Sequence, residues 1–263
     1  MRIAIAYLGP MGCGATRPQL FRADDGKVYV VKLQSNRLGP KVLANEALAA
    51  ALGRHLQLPF PPSGVIRIAA TALAGSRKGV GDRITAGLHF ASEFLPRCKY
   101  VCRHNLSKAQ NKTEMAGVIL FDHLLNNLDR TLNRKNLLLH PEGAGYKLYA
   151  IDNTHLFKRG KWAAGDLYRQ RDEIKVNYRR AFGWLLKYFL TPDDFAPYVA
   201  RVKGLSDADI AAAVDAIPLE WLPDQNEREV LAEFIGYRRD LAEKVADRLT
   251  ALIPSGVSYR REV

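Results

Sequence analysis

The chain has 263 residues, of which 48% are hydrophobic, and this is enough to bury a sizeable core in one large domain or two small lobes. Its longest apolar runs, such as residues 47–52, fall far short of the roughly 20 residues that a membrane-spanning helix needs, so we expect no membrane span. Three cysteines are too few for a disulfide scaffold and indicate a reducing compartment, the cytoplasm.

The formal net charge of +12, from 39 basic and 27 acidic residues, favours polyanionic partners such as nucleotides or nucleic acid. Two basic stretches stand out, residues 97–112 and residues 158–180. The second interleaves eight basic residues with Trp162, Tyr168 and Tyr178. Each stretch fits either a solvated surface or a nucleic-acid-binding surface with stacking aromatic rings.

Residues 1–95 are predicted to form a strand-rich lobe with one helix. Alternating and β-branched patterns predict strands at residues 3–7, 19–22, 28–33, 65–68 and 88–96. Between them, apolar residues recur at three- and four-residue spacing over residues 44–52, which is typical of one helical face.

Residues 96–263 are predicted to be mainly helical. Ser107 is a plausible N-cap for a long buried helix that ends at Leu128, and a hairpin follows over residues 136–151. Ser206 begins a capping box, and apolar spacing over residues 231–249 predicts one final amphipathic helix. The expected fold class is therefore α+β, with two lobes like those of a protein kinase.

The first lobe contains several residues that could bind phosphate. Gly12, Gly14 and Thr16 lie in a glycine-rich loop between two strands, where backbone N–H groups can surround phosphate oxygens. This signal is weak alone, because glycine-rich hairpins are common. Lys32 ends a strand and Glu46 lies early in the next helix, so an ion pair between them is geometrically reasonable; a surface lysine and a dipole-favoured glutamate are the alternative.

Asp129, Asn136 and Asp152 are the most informative residues of the chain. We expect Asp129 to end a helix, Asn136 to open a strand and Asp152 to follow the next strand, which brings the three side chains together. A kinase needs one carboxylate to orient the attacking hydroxyl, and an amide and a second carboxylate to hold magnesium against ATP.

A less specific interpretation also fits these carboxylates. Asp129 and Arg130 could cap the preceding helix, and Asp152 with Asn153 could form an ordinary turn. Both carboxylates, however, follow apolar elements, where an ionised group is costly unless it is paired or bound to metal. Residue types, order and flanking elements agree better with a metal site.

Taken together, these motifs resemble the HipA-like kinases, in particular a shorter branch of that family. The motifs that carry the resemblance cover residues 29–32, 43–46, 127–131, 134–138 and 217–222. They are specific as a set and weak singly, and they extend through nearly the whole chain. The family is remotely related to phosphoinositide kinases and protein kinases.

The resemblance implies an ATP- and Mg²⁺-dependent kinase and assigns roles to residues. Asp129 is then the catalytic aspartate, and Asn136 and Asp152 are the magnesium ligands. Lys32 contacts phosphate with Glu46 as its partner. The backbone of Glu93, Phe94 and Leu95 forms the hinge that holds adenine.

Two departures from the family pattern affect these assignments. Thr131 stands where the HipA toxin and phosphoinositide kinases have histidine, so any help from that imidazole is absent. The spacing from Asp129 to Asn136 is two residues longer than in those relatives, which leaves Asn133 as a rival metal ligand.

The sequence therefore predicts transfer of the γ-phosphoryl group of ATP to a hydroxyl, with a protein Ser or Thr as one acceptor class and an acidic acceptor suggested by residues 158–180. Two other functions stay open. A pseudokinase would bind ATP without turnover, and Thr131 favours it. A nucleic-acid-binding protein would use the two basic stretches, but it gives no reason for the arrangement of Asp129, Asn136 and Asp152.

Overall fold

Five strands near the N-terminus form a closed barrel in a computed structural model that describes residues 1–12, 14–73, 84–176 and 178–255. The strands are β1 (Arg2–Pro10), β2 (Gln19–Ala23), β3 (Val28–Lys32), β4 (Ser63–Ile68) and β5 (Gly87–Glu93). Their order is β1-β2-β3-β5-β4, and β4 closes the barrel by running parallel to β1. The five predicted strands are all present, with shifted ends.

The barrel has a core of its own. Phe21, Tyr29, Val31 and Ile66 are fully or almost fully buried within it. Lys32 is the last residue of β3 and pairs with Phe90 of β5. The barrel therefore carries Lys32 at its rim, next to the rest of the molecule.

Helix α1 (Lys41–His55) connects β3 to β4 but packs with the C-terminal helices. Residues 42–53 of this helix are all buried, although the sequence predicted only one apolar face. Alanine-rich surfaces of this kind allow close packing against several neighbours. The helix that carries Glu46 is thus fixed in the larger hydrophobic core, not in the barrel core.

A second sheet consists of β6 (Lys99–Tyr100), β7 (Leu137–Glu142) and β8 (Gly145–Ala150), in the order β6-β7-β8. Strands β7 and β8 form the predicted hairpin, with Leu137 opposite Ala150. Gly143 in the turn has a φ of +57°, a left-handed conformation that glycine adopts without strain.

The C-terminal region is mainly helical, as predicted. Its helices are α2 (Arg103–Leu106), α3 (Met115–Leu124), α4 (Asp129–Leu132), α5 (Ala164–Gln170), α6 (Arg180–Tyr188), α7 (Ala196–Lys203), α8 (Asp207–Asp215), α9 (Gln225–Asp240) and α10 (Ala242–Thr250). Among the described residues, no helix combines the length and apolar character needed to cross a bilayer.

Two helix predictions were wrong. Ser107 does not start the central helix; it follows α2, and α3 begins at Met115 after a 3-10 turn. The predicted final helix is two helices, α9 and α10, because the helical conformation is interrupted at Leu241. The capping box of Ser206 and Asp209 is confirmed, with the Asp209 N–H donating to Ser206 Oγ at 3.1 Å.

A buried arginine holds the C-terminal end of α3. The guanidinium of Arg238 is 1% exposed and donates to the backbone carbonyls of His123, Leu124, Arg171 and Glu173. Burial lowers the pKa of Arg238 to about 10. The carbonyls that lack partners at a helix C-terminus are thereby satisfied, and the segment leading to Asp129 is anchored.

Candidate active site

Lys32 lies between two carboxylates. Its ammonium contacts the carboxylate of Glu46 and lies 2.9 Å from Asp152 Oδ1. The Glu46 side chain is 3% exposed and the Asp152 side chain 30% exposed. Strand β3, helix α1 and the segment after β8 thus each contribute one residue, and the ion pair expected from the sequence is present.

The charges of these three side chains depend on one another. Burial disfavours the Lys32 ammonium, but the charges of Asp152 and Glu46 outweigh burial and raise the pKa of Lys32. Burial likewise opposes ionisation of Asp152, yet Lys32 and the Thr154 hydroxyl hold the pKa of Asp152 well below its usual value. Burial, reinforced by Asp152, raises the pKa of Glu46 despite Lys32. One ammonium between two carboxylates leaves negative charge that a cation can offset.

The backbone after β8 fixes the Asp152 carboxylate. Asp152 has a φ of +65°, a left-handed conformation that is uncommon for a residue other than glycine. The Thr154 hydroxyl donates to Asp152 Oδ1 at 2.5 Å, and the Asn153 N–H donates to Glu46 Oε1 at 3.0 Å. Strained backbone that is held by several contacts is typical of functional sites, and an ordinary turn would not require these contacts.

Asp129 and the two asparagines form a second polar group. Asn136 Nδ2 donates to Asp129 Oδ2 at 2.6 Å, and Asn133 Nδ2 donates to Asn136 Oδ1 at 3.2 Å. Asn136 therefore lies between Asp129 and Asn133. The sequence predicted that Asp129 ends a helix, and this prediction was wrong. Helix α3 stops at Leu124, and Asp129 opens the short helix α4.

The buried side chain of Arg130 connects the elements that form the site. Its side chain is fully buried and donates to Asp122 Oδ2 of α3 at 2.7 Å and to Asn153 Oδ1 at 2.6 Å. It also donates to the carbonyl of Asn136 at 3.3 Å and contacts the carbonyl of Ile151. One guanidinium thus holds both ends of the β7–β8 hairpin, where Asn136 and Asp152 lie.

The hairpin register brings the two expected metal ligands to the same end of the sheet. The Ile151 N–H donates to the Asn136 carbonyl at 2.9 Å, directly before Asp152 in the chain. A carboxylate and an amide oxygen are hard ligands that suit Mg²⁺, which usually takes only one or two protein ligands and completes its shell with water and phosphate. Among the described residues, no three His, Cys, Asp or Glu side chains cluster as a closed metal site.

A buried amide fixes α1 to the segment after Asp152. Asn45 is 1% exposed, and its Nδ2 donates to the carbonyls of Thr154 at 3.0 Å and Gly160 at 2.9 Å. Its Oδ1 accepts from Trp162 Nε1 at 2.9 Å. Lys41, one turn earlier in α1, donates to the Trp162 carbonyl at 2.7 Å. These contacts therefore fix the helix that carries Glu46 to the segment that follows Asp152.

The glycine-rich loop connects β1 and β2. Gly12 and Gly14 are exposed and have φ values of +79° and +97°, while Thr16 is buried. Arg37 Nε donates to the Ala15 carbonyl at 2.9 Å and links the loop to the segment after β3. Cys13 lies outside the described residues. A phosphate-binding role for this loop stays a prediction.

The expected hinge begins at Glu93, the last residue of β5. The Glu93 N–H donates to the Pro62 carbonyl at 2.8 Å, and the Phe94 N–H donates to the Val28 carbonyl at 2.9 Å. These two donors are therefore already used within the protein. An adenine at this position would have to use the Leu95 N–H and the carbonyls of residues 93–95.

The basic stretch at residues 158–180 differs from the sequence interpretation in one respect. Trp162 is 4% exposed and bonded to Asn45, so it cannot stack on a nucleic-acid base. Tyr168 and Tyr178 are exposed. Ion pairs within the stretch join Lys158 and Lys175 to Glu173, Arg169 to Asp166, and Arg171 to Asp172. Much of the positive charge is thus compensated locally.

The sequence interpretation assigned no role to several residues that shape the site: Asn45, Asp122, Thr154 and His155. Asp122 offered a signal, because it is an acidic residue within the otherwise apolar helix α3. Asn45 and His155 offered none, because Asn45 contacts residues 154–162 and His155 lies beside Asp129, segments far from each of them in the chain. Thr154 contacts its near neighbour Asp152, but a threonine after Asp-Asn is not a distinctive signal.

The family of the chain follows from a comparison with protein-family models. The model of the HipA-like kinases matches residues 5–168. The chain belongs to the HipA-like kinase family. A search of curated proteins finds no match.

Solved structures show that the fold is shared with known kinases. The proinflammatory kinase CtkA of Helicobacter pylori is 12% identical and aligns over 97% of this chain and 99% of its own, with a TM-score of 0.60. A Golgi casein kinase is 12% identical over 99% of this chain and 74% of its own, with a TM-score of 0.52. The same kind of enzyme with manganese and ADP bound aligns with a TM-score of 0.50 over 97% of this chain and 74% of its own, at 12% identity.

Proposed function

We propose that this HipA-like protein is an ATP- and Mg²⁺-dependent kinase that transfers the γ-phosphoryl group to a hydroxyl, with Ser or Thr of a protein as the preferred acceptor class. The observation that carries the proposal is the placement of Lys32 between Glu46 and Asp152, beside the Asp129–Asn136 pair. Three separate elements converge to produce this arrangement, and a purely structural ion pair would not require the adjacent carboxylate and amide.

Asp129 is proposed to accept the proton of the acceptor hydroxyl. The hydroxyl oxygen forms a bond to the γ-phosphorus, and the bond from that phosphorus to the β–γ bridging oxygen breaks. ADP departs with the electron pair, and the hydroxyl proton goes to the Asp129 carboxylate. The Asp129 side chain is 28% exposed, so an acceptor can reach it.

Asn136 and Asp152 are the proposed magnesium ligands, and Lys32 is the proposed phosphate contact. Bound magnesium would offset the negative charge that develops on the phosphate groups during transfer. The donor set fits that ion, since it offers oxygen ligands beside uncompensated negative charge. One structural relative was solved with manganese and ADP, which supports a nucleotide and a divalent cation as the ligands here.

The family assignment supports a proposal for the nucleotide contacts. We propose that residues 1–95 form an N-lobe and residues 96–263 a C-lobe, with ATP between them. The proposed hinge, residues 93–95, would hold adenine, and Gly12, Gly14 and Thr16 would line the phosphates. We place the reaction in the cytoplasm because cysteines are few.

A pseudokinase is the second candidate, and Thr131 is the observation that favours it. Position 131 supplies no imidazole because it is threonine, and the Thr131 hydroxyl instead donates to the Leu128 carbonyl at 2.7 Å. Such a protein would keep nucleotide binding and lose turnover.

Thermal melts with and without ATP and Mg²⁺ test binding, and release of ADP in the presence of casein tests transfer. Casein is a suitable probe because one structural relative is a casein kinase. Ligand at about 100 times its dissociation constant should add roughly 2.7 kcal/mol to the stability of the parent protein. Asp152→Asn should abolish this stabilisation, and Asp129→Asn should keep it while lowering turnover about 10²-fold or more.

Asp215→Asn is the matched control, because Asp215 is an exposed carboxylate at the end of α8. It should bind and turn over ATP like the parent. Stabilisation without ADP release would favour the pseudokinase over a kinase that accepts casein. A parent protein that MgATP does not stabilise, or an Asp152→Asn variant that is stabilised equally, would refute the proposed site.

A further inference from the structure

The imidazole of His155 lies beside Asp129, although His155 follows Asp152 in the chain. His155 Nδ1 is 3.0 Å from Thr154 Oγ1 and 3.9 Å from Asp129 Oδ2. The His155 side chain is 36% exposed, so it lies at the mouth of the site. The roles proposed above for Asp129, Asn136 and Asp152 do not use it.

The neighbouring threonine determines which ring nitrogen of His155 carries the proton. An ionised carboxylate accepts hydrogen bonds and donates none, so the 2.5 Å contact between Thr154 Oγ1 and Asp152 Oδ1 uses the only hydroxyl proton of Thr154. The Thr154 oxygen must then accept from His155, which places a proton on Nδ1. The proton on Nδ1 thus points to Thr154, and the positive edge of the ring lies 3.9 Å from Asp129 Oδ2, an electrostatic contact that is too long for a hydrogen bond.

Asn136 and His155 approach the same oxygen of the Asp129 carboxylate. Asn136 Nδ2 donates to Oδ2, and His155 Nδ1 lies nearest to Oδ2. A carboxylate held by one oxygen presents the other in a defined direction. Oδ1 is then the oxygen that receives the acceptor hydroxyl.

We propose that His155 is a positioning residue for Asp129. The proposal rests on the proposed function of Asp129 and adds a role that nothing in the family motifs assigns. Asp152, Thr154, His155 and Asp129 form one chain of polar contacts, so the orientation of the metal-binding carboxylate is linked to that of the proton acceptor. His155 acts on turnover through Asp129 and does not bind ATP.

Substitution by Asn, Gln and Ala separates this role from a structural one. Asn places its amide N–H near the position of imidazole Nδ1, whereas Gln places it near Nε2 and Ala removes the donor. With casein as acceptor, His155→Ala should lower kcat about 10-fold, the lower end of what loss of an orienting partner costs, with the KM for ATP unchanged. His155→Asn should retain more turnover than His155→Gln. The exposed His104, changed to Ala, is the control and should match the parent.

A double variant tests whether His155 acts through Asp129. In the Asp129→Asn background, His155→Ala should cause no further loss of turnover, because the group that it orients is absent. An additive loss would overturn the proposal, as would a raised KM for casein with kcat unchanged, which would make His155 an acceptor contact.

Imidazole nitrogen NMR gives a readout that does not depend on activity. Long-range ¹H–¹⁵N correlations should show the Nδ1–H tautomer for His155 in the parent and lose it in Thr154→Val. An Nε2–H tautomer in the parent would overturn the geometry. Parent turnover with an unaffected His155→Ala variant refutes only this inference, whereas a parent that binds MgATP without turnover refutes the kinase and this inference with it.

Discussion

Replacement of Arg130 by Met should both destabilise the protein and weaken the proposed magnesium site. The Arg130 guanidinium and the Asp122 carboxylate are both 0% exposed, and the pair is 2.7 Å apart. Methionine preserves most of the side-chain volume but removes every donor. Among the residues that the structure describes, the Asp122 carboxylate then keeps the Asn127 side-chain amide, at 3.0 Å, as its remaining hydrogen-bond partner.

The expected cost is large because a buried charge is left without its counter-ion. Breaking a buried pair by removing one partner typically costs about 3–5 kcal/mol. For a chain of this length, that corresponds to a fall in melting temperature of roughly 6–20 °C, taking about 2–4 °C per kcal/mol. Since the same guanidinium contacts the carbonyls of Asn136 and Ile151, the magnesium concentration required for ATP stabilisation should rise as well.

The pH dependence of the variant has a definite sign. Burial already raises the pKa of Asp122 despite Arg130, and loss of Arg130 raises this pKa further. A carboxyl whose folded pKa lies above its unfolded pKa binds more protons when folded, so its favourable contribution is present at low pH and is lost as pH rises through the folded pKa. The stability deficit of Arg130→Met should therefore shrink in mildly acidic buffer.

Denaturant unfolding of the parent, Arg130→Met, Asp122→Asn and the double variant measures these effects. The double variant should be more stable than the sum of the single losses predicts, because it buries no unpaired charge. Strict additivity, or an Arg130→Met variant within about 1 kcal/mol of the parent, would refute the role that we assign to the pair.

Two further predictions concern the amides around the site. Asn136→Ala should raise the magnesium requirement of ATP hydrolysis more than Asn133→Ala. Asn136 precedes strand β7 and is 4% exposed, and a ligand fixed in this way holds magnesium geometry better than a loop residue. The reverse order would transfer the proposed metal role to Asn133. Asn45→Ala should speed amide hydrogen exchange in residues 153–162 and cost about 1–3 kcal/mol for each buried group left unpaired, whereas unchanged exchange would show that Asn45 does not hold that segment.

The sequence predicted the elements that local patterns determine. Alternation identified the barrel strands and the β7–β8 hairpin, and the Ser206 capping box marked the start of α8. Closure of the barrel was not predictable, since β1 and β4 pair in parallel although more than one element separates them in the chain. Register between distant strands depends on tertiary packing, which no local period encodes.

The same distinction explains the errors in the helical region. Apolar residues continue from α3 beyond Leu124, but Asn126 adopts a positive φ of +51° and the chain turns before Asp129. The break at Leu241 between α9 and α10 lies within a continuous amphipathic pattern. Apolar spacing indicates which residues are buried, but it does not show where a helix ends. Both predicted helices were too long because buried residues continue past the points where the helices stop.

The candidate site residues could be named from their residue types and their order in the chain. The residues that hold them in place could not, because their roles depend on three-dimensional contacts. Lys32 and Glu46 could be named from their order in the chain, and Asp152 could be named because a carboxylate at the end of an apolar element requires a partner. The groups that hold them, such as Asn45 and Arg130, satisfy backbone carbonyls from distant segments. Any carbonyl in the chain could have been that partner, so sequence alone does not identify it.

The geometry of the candidate site depends on how the two hydrophobic cores are arranged, because Lys32 extends from one core and its partners are attached to the other. Lys32 extends from a barrel with its own core, whereas Glu46 belongs to the core formed with the C-terminal helices. Asp152 is tied to that second core through Asn153, which donates to Glu46, and through the Asn45 contacts. A shift of the barrel against the helices would therefore separate Lys32 from both carboxylates at once. The phosphate binding proposed for Lys32 and the metal binding proposed for Asp152 should be coupled for the same reason, because each ligand would replace part of the charge that the other side chain now supplies.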